Sequence, residues 1–274
     1  MPHVHKIISP KNPHIKSALD LRDRRVRETT GLILVEGYRE ILRAQEAKVV
    51  FEKIFACPEY FHHQECENII EDFKKTKTQI LETSKKVFSR ISFGERKEGL
   101  LAICRKPQAT WQELKLTKNP IIVVVEAVEK PGNLGAILRS CDGAGVSALI
   151  LCEEKVDQFN PYVIRASLGT VFSLQVIESV NGEALRFFHH HKIMICATLI
   201  EAETIYSNAD FSQPIAIVLG CEGKGLSDFW VKNSDVQVKI PMHGKADSLN
   251  VSNTAAILLY EVLRQRSLSS EKLK

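Results

Sequence analysis

The sequence predicts two α/β domains, the second built on a parallel sheet. Three observations carry this reading. Apolar, β-branched runs such as IIVVVE at 121–126 recur along the chain, segments of helical spacing separate them, and glycine-bearing turns follow them. Strands buried on both faces, joined through helices by right-handed crossovers, produce this pattern. The alternation lapses once, in RKPQATWQELKLTKNP, where two prolines and polar residues predict a linker with one helical turn around Trp111 and Leu114. The expected domains are therefore 1–106 and 120–274, with a linker at 107–119.

In the first domain, GLILVEG at 31–37 reads as a buried strand ended by glycine, and YREILRAQ as a helix with Ile41 and Leu42 on its inner side. FEKIFA is a second strand, ENIIEDFKK a helix, SKKVFSRI a short helix capped by Ser84, and GLLAIC a third strand. In the second domain, PGNLGAILRSCDGAG reads as a helix opened by Gly132 and closed by Gly143 or Gly145. ALILC, NPYVIRASLG, FSLQVI, GEALRFFHHH, KIMICATL, PIAIVLG, a short helix near Leu226 to Val231, VQVKIPM and a long C-terminal helix follow in order.

Totals bound the function. The chain has 274 residues, 44% hydrophobic and 26% charged, enough for two modest cores. No apolar run approaches the roughly 18 residues of a membrane span, and the N-terminus has no secretory core. Seven scattered cysteines (57, 66, 104, 141, 152, 196 and 221) without a CxxC pair predict reduced thiols and a cytoplasmic location. The net charge of +4 conceals a basic start, where Lys6, Lys11, Lys16, Arg22, Arg24, Arg25 and Arg27 face only Asp20 and Asp23. Such a surface suits a phosphate backbone, and a solvated helix face explains it equally well.

Ligands of parallel α/β sheets bind at the carboxyl ends of the strands. Three such ends share glycines with carboxamide, hydroxyl or carboxylate groups: EAVEKPGNLGAILRS, VLGCEGKGLSD and IPMHGKADSLNVS. Glycines let a ligand approach the backbone, and helix starts present free N–H groups. In the last, Ser248, Asn250 and Ser252 precede an apolar helix and outnumber what one cap requires. No GxGxxG, P-loop or GxSxG pattern is present. The three histidines at 189–191 predict an exposed helix end and no metal site, because adjacent helical positions do not face one ion.

NLGAILR (133–139), VLGCEGKGLS (218–227) and IPMHGKADSLNVSNTAAILLYE (240–261) resemble the three signature motifs of the SpoU/TrmH family of RNA ribose 2′-O-methyltransferases. The stretch SPKNPHIKSALDLRDRRVRETTGLILVEGYREI is similar to the small, ribosomal-protein-like RNA-binding domain that precedes the catalytic domain in many members. The resemblance implies a C-terminal trefoil knot, which general topology rules disfavour, a homodimer formed through the knotted domain, and S-adenosylmethionine as methyl donor. A threonine follows Asn253 where the family commonly has alanine, with no functional consequence expected.

The resemblance also implies roles. Asn133, Arg139, Glu222, Ser248 and Asn250 would be catalytic. Thr198, Leu199, Leu219, Gly220, Gly225, Ile240, Met242, Ser248 and Leu249 would hold the cofactor, largely through backbone groups. Lys11, Asn12, Arg22, Arg25, Glu36, Gly37 and Arg39 would contact RNA. A guanidinium with a pKa above roughly 12 is a poor base, so Arg139 is read as a phosphate clamp that orients the ribose, with no residue assigned as proton acceptor. Ser252 is read mainly as a helix cap. Ribosomal RNA is the expected substrate. The competing readings are a transfer RNA 2′-O-methyltransferase, a base methyltransferase with the same knot, and a non-catalytic RNA-binding protein of this architecture.

Overall fold

The computed structural model describes residues 4–94 and 97–271, with side chains as far as residue 268. Two compact units emerge. The N-terminal unit holds residues up to Gln108 together with Asp157–Ser173, and the C-terminal unit holds Ala109–Val156 and Leu174 onward. The chain thus returns to its first unit partway through the second half, where the sequence reading placed one continuous domain.

The N-terminal unit begins β1 (Val4–Ile7), α1 (Pro13–Asp20), α2 (Arg24–Thr30), β2 (Leu32–Glu36) and α3 (Tyr38–Glu46). It continues β3 (Phe51–Ala56), α4 (Gln64–Lys74), β4 (Gln79–Thr83), α5 (Lys85–Ile91) and β5 (Leu100–Arg105). Its sheet runs β1-β4-β3-β5-β2. The first three strands of that order are parallel, and β5 lies antiparallel to both neighbours. Asn12 and Asp23 cap α1 and α2 by accepting from the amides of His14 and Arg25. Ser84 precedes α5 without a side-chain capping bond. Leu42, expected inside, is 40% exposed, because the buried face of α3 is made by Tyr38, Glu40, Ile41 and Ala44.

Polar groups hold the returning segment in this unit. The buried Arg27 donates to Asp157 at 2.8 Å through Nε and pairs with the same oxygen at 2.7 Å through Nη2. Its Nη1 donates to the carbonyls of Leu21 and Arg22. Arg165, on α7 (Pro161–Ala166), donates to the Glu36 carbonyl and pairs with Glu40 at 3.2 Å and Glu98 at 3.3 Å. Gly37 makes room for it, since a Cβ there would lie 1.9 Å from Arg165 Nη1 and the backbone has φ +108°.

The C-terminal unit has β6 (Ile121–Glu126), α6 (Pro131–Gly143), β7 (Ala148–Cys152), β8 (Val176–Ser179), α8 (Asn181–His191) and β9 (Met194–Thr198). Then come β10 (Thr204–Ile205), β11 (Ile215–Leu219), α9 (Asp228–Asn233), β12 (Val236–Lys239) and α10 (Val251–Glu271). Its sheet runs β10-β12-β9-β11-β6-β7-β8 and every pairing is parallel. Every residue of β6, β7 and β11 is buried, as strands covered on both faces must be. Helix α6 starts at Pro131, one residue before the predicted Gly132, consistent with proline's fixed φ at a first turn. The predicted turn in the linker is a 3-10 turn at Trp111–Glu113. Trp111, Leu114 and Leu116 pack on the core of this unit, with the Trp111 ring 4.4 Å from that of Phe187.

Among the described residues no helix is long and apolar enough to cross a membrane, and no cluster of potential ligands could hold a metal ion. All seven cysteines are free thiols.

Candidate active site

Strands β9, β11 and β12 end beside one another, and the segments that leave them enclose a cavity of about 350 Å³. Parallel strands place all their carboxyl ends at one edge, so loops distant in sequence meet there. Thr198 and Leu199 close β9, Leu219 and Gly220 close β11, and Ile240 and Met242 follow β12. Ser248 and Leu249 complete the wall just before α10. Together with Gly225, these are the nine residues expected to hold a cofactor, and all nine line one cavity.

The second loop is unusually tight. A Cβ on Gly220 would lie 2.2 Å from the carbonyl carbon of Gly225 and 2.4 Å from the amide nitrogen of Leu226. Only glycine permits that backbone-on-backbone approach. The Gly225 amide donates to the Cys221 carbonyl at 3.0 Å, which closes the turn. Glu222, exposed at its tip, also lines the cavity.

The first and third motifs meet through carboxamides. Asn250 Nδ2 donates to Asn133 Oδ1 at 3.1 Å. Asn250 Oδ1 meanwhile accepts from the amide and hydroxyl of Ser252 at 2.9 and 2.7 Å, which caps α10. The surplus of polar groups before that helix is thereby divided: Asn250 and Ser252 make the cap, Asn250 also reaches α6, and Ser248 faces the cavity. Asn133 Nδ2 is buried without a hydrogen-bond partner, a costly state for a donor with no ligand to meet. Arg139 is exposed on α6 and makes no side-chain hydrogen bond or ion pair among the described residues. Neither Asn133, Asn250 nor Arg139 lines the cavity itself.

The sequence reading passed over several lining residues. Cys221, Gly223 and Lys224 belong to a loop it had already identified, and Asp247 adjoins Ser248, so adjacency was the available signal. Thr254, where no functional consequence is expected from the sequence, lines the cavity one turn into α10. The lining carries the carboxylates of Glu222 and Asp247 and the ammonium of Lys224 among apolar side chains and backbone. Beside this loop, Lys155 donates to Glu129 at 2.9 Å and holds its carboxyl below the usual range.

The RNA-contact expectations divide. Lys11, Arg25 and Arg39 are exposed, with Arg39 donating to the Tyr38 hydroxyl at 2.9 Å. Arg22 donates to the carbonyls of Ile91 and Ser92, and the Asn12 side chain caps α1. Glu36 and Gly37 are corrected to structural roles. The Glu36 side chain is 1% exposed and accepts from the Ser92 hydroxyl at 2.6 Å and the Phe93 amide at 2.9 Å, while Gly37 lies buried against Arg165.

A parallel α/β unit with a cavity at the carboxyl edge of its sheet is the arrangement of an enzyme that takes a small organic ligand. The chain belongs to the SpoU rRNA Methylase family, whose model matches residues 120–260. An MRM3-like substrate binding domain matches residues 12–102. The chain is 26% identical over 257 residues to 23S rRNA (guanosine(2553)-2′-O)-methyltransferase RlmP of Bacillus subtilis, covering 94% of this chain and 98% of that one. A crystal structure of an RNA 2′-O ribose methyltransferase superposes with a TM-score of 0.85 at 39% identity, over 95% of this chain and 99% of that one. The SpoU methyltransferase AviRb of Streptomyces viridochromogenes, crystallised with AdoMet, superposes with a TM-score of 0.84 at 26% identity, over 93% and 99%.

Proposed function

We propose that this protein transfers a methyl group from S-adenosylmethionine to a ribose 2′-hydroxyl in ribosomal RNA. The observation that carries the reading is the convergence of all nine expected cofactor residues on one cavity. Relatives of nearly the same length are named as 23S rRNA 2′-O-methyltransferases, which favours ribosomal over transfer RNA.

The lining suits this donor. Leu219, Ile240, Leu249 and Leu258 offer apolar surface and neighbouring backbone groups offer hydrogen bonds, as a neutral adenine requires. Glu222 and Asp247 complement the donor's positive charges, and Lys224 its carboxylate. The bound donor supplies an electrophilic methyl on a sulfonium. The chain's task is then alignment, and Asn133, fixed through its oxygen by Asn250, keeps a buried N–H free to meet a substrate oxygen. Arg139 clamps a neighbouring phosphate, and Lys11, Arg25 and Arg39 add contacts that position the RNA without reading its sequence.

The reading extends to a C-terminal trefoil knot in the catalytic domain, to a homodimer through that domain and to action in the cytoplasm. The scattered cysteines, all of them free thiols, support the last. The decisive experiment supplies methyl-labelled S-adenosylmethionine and ribosomal RNA from a strain lacking the protein, then hydrolyses the product with alkali. Label in alkali-resistant dinucleotides is expected. Label in mononucleotides would mean base methylation, and no label would leave the RNA-binding alternative.

A further inference from the structure

Glu126 ends β6 and takes no part in the cavity wall, yet it is a carboxylate only 4% exposed. No lysine or arginine pairs with it among the described residues. Its Oε1 accepts from Asn181 Nδ2 at 2.7 Å and from the Ser227 hydroxyl at 2.7 Å, and its Oε2 accepts from the Ser227 amide at 2.8 Å. Asn181 is fixed in turn, because its Oδ1 accepts from Nε1 of the fully buried Trp230 at 2.9 Å. A buried anion satisfied only by neutral donors is expensive to keep, which calls for a task that an apolar residue would not perform.

The task follows from the register. Leu219 pairs with Val125, so the loop leaving β11 departs beside Glu126. That loop supplies six consecutive cavity residues, from Gly220 to Gly225, and returns to the same carboxylate at Ser227. We propose that Glu126 is the positioning residue of the methyl-donor site: by gripping Ser227 it fixes the far end of the loop that forms one wall. This rests on the function proposed above.

The glutamine variant is a sharp probe. Glu126→Gln keeps the size, but its amide N–H₂ must face either the Ser227 amide or Asn181 Nδ2, a donor against a donor. Asn181 can invert only by surrendering the bond from Trp230. The expected result is a rise of about tenfold in KM for S-adenosylmethionine, the cost of one ill-paired buried donor. KM for RNA and kcat at saturating donor should stay within about twofold of wild type, whereas general misfolding would degrade all three. Ser227→Ala, which removes only the hydroxyl donor, should raise the donor KM about threefold and serves if the first variant does not fold. Donor KM values unchanged in a folded variant overturn the inference. Wild-type protein that shows no calorimetric heat with S-adenosylmethionine overturns the proposed function instead, so the two failures are distinct.

Discussion

The two units place their polar side chains in opposite ways. The N-terminal unit buries charge against charge, Arg27 with Asp157 and Arg165 with Glu40 and Glu98. The C-terminal unit builds a largely apolar sheet, buries few carboxylates, Glu126 and Glu261 among them, and gathers other polar groups at one edge, around a cavity. Charge matched by charge inside a unit serves the fold, whereas donors and carboxylates that line open space are available to a ligand.

Substitutions that break one arrangement should spare the other. The largest effect is expected from Asp157→Asn, which leaves Arg27 buried without its counter-charge and should cost about 3–5 kcal/mol of stability. Urea denaturation would read this directly. Gly220→Ala forces a Cβ into the Gly225 backbone and should weaken S-adenosylmethionine binding about a hundredfold, near 3 kcal/mol, with affinity for RNA nearly unchanged. Paired titrations of donor and RNA would check the separation.

Thiol chemistry probes the same contrast at smaller amplitude. Burial pushes Cys152 and Cys196 up to about 12 and Cys66 up to about 11, and six of the seven cysteines are buried. Only Cys221, in the cavity wall, should react with iodoacetamide in the native protein. Bound S-adenosylmethionine should slow that reaction about tenfold, a free-energy difference near 1.4 kcal/mol, as peptide mass mapping would show.

The smallest effect concerns pH. The Arg264 guanidinium holds the Glu261 carboxyl below its ordinary value, against the opposing effect of burial and with help from Gln265. A depressed carboxylate contributes stability above its unfolded pKa and loses it as pH falls through the folded one. Glu261→Gln should therefore cost about 0.5–1 kcal/mol at neutral pH, since Arg264 is half exposed, and the difference from wild type should fade below about pH 4. Thermal melts across that range would measure it.

The units also differ in how far the sequence revealed them. Apolar runs such as IIVVV and IAIVL announced their strands, and three glycine-bearing strand ends announced the cavity. VHKI, with three of its four residues exposed, and the short QILET gave no comparable periodicity, so β1 and β4 went unread. Glu36 and Gly37 looked like surface groups because the Arg165 that packs over them lies about 130 residues away, beyond any local pattern. The Glu126–Ser227 link spans 101 residues and escaped for the same reason. Spacing exposes what a short element does to itself. Long-range polar pairing appears only once the chain has folded.

The central claim is that the cavity at the carboxyl edge holds a methyl donor. Isothermal calorimetry of the whole protein with S-adenosylmethionine tests it most directly. Saturable binding at one site per chain, weakened about a hundredfold in Gly220→Ala, is the predicted outcome. Wild-type protein that gives no heat, or a Gly220→Ala variant that binds as tightly as wild type, would contradict it.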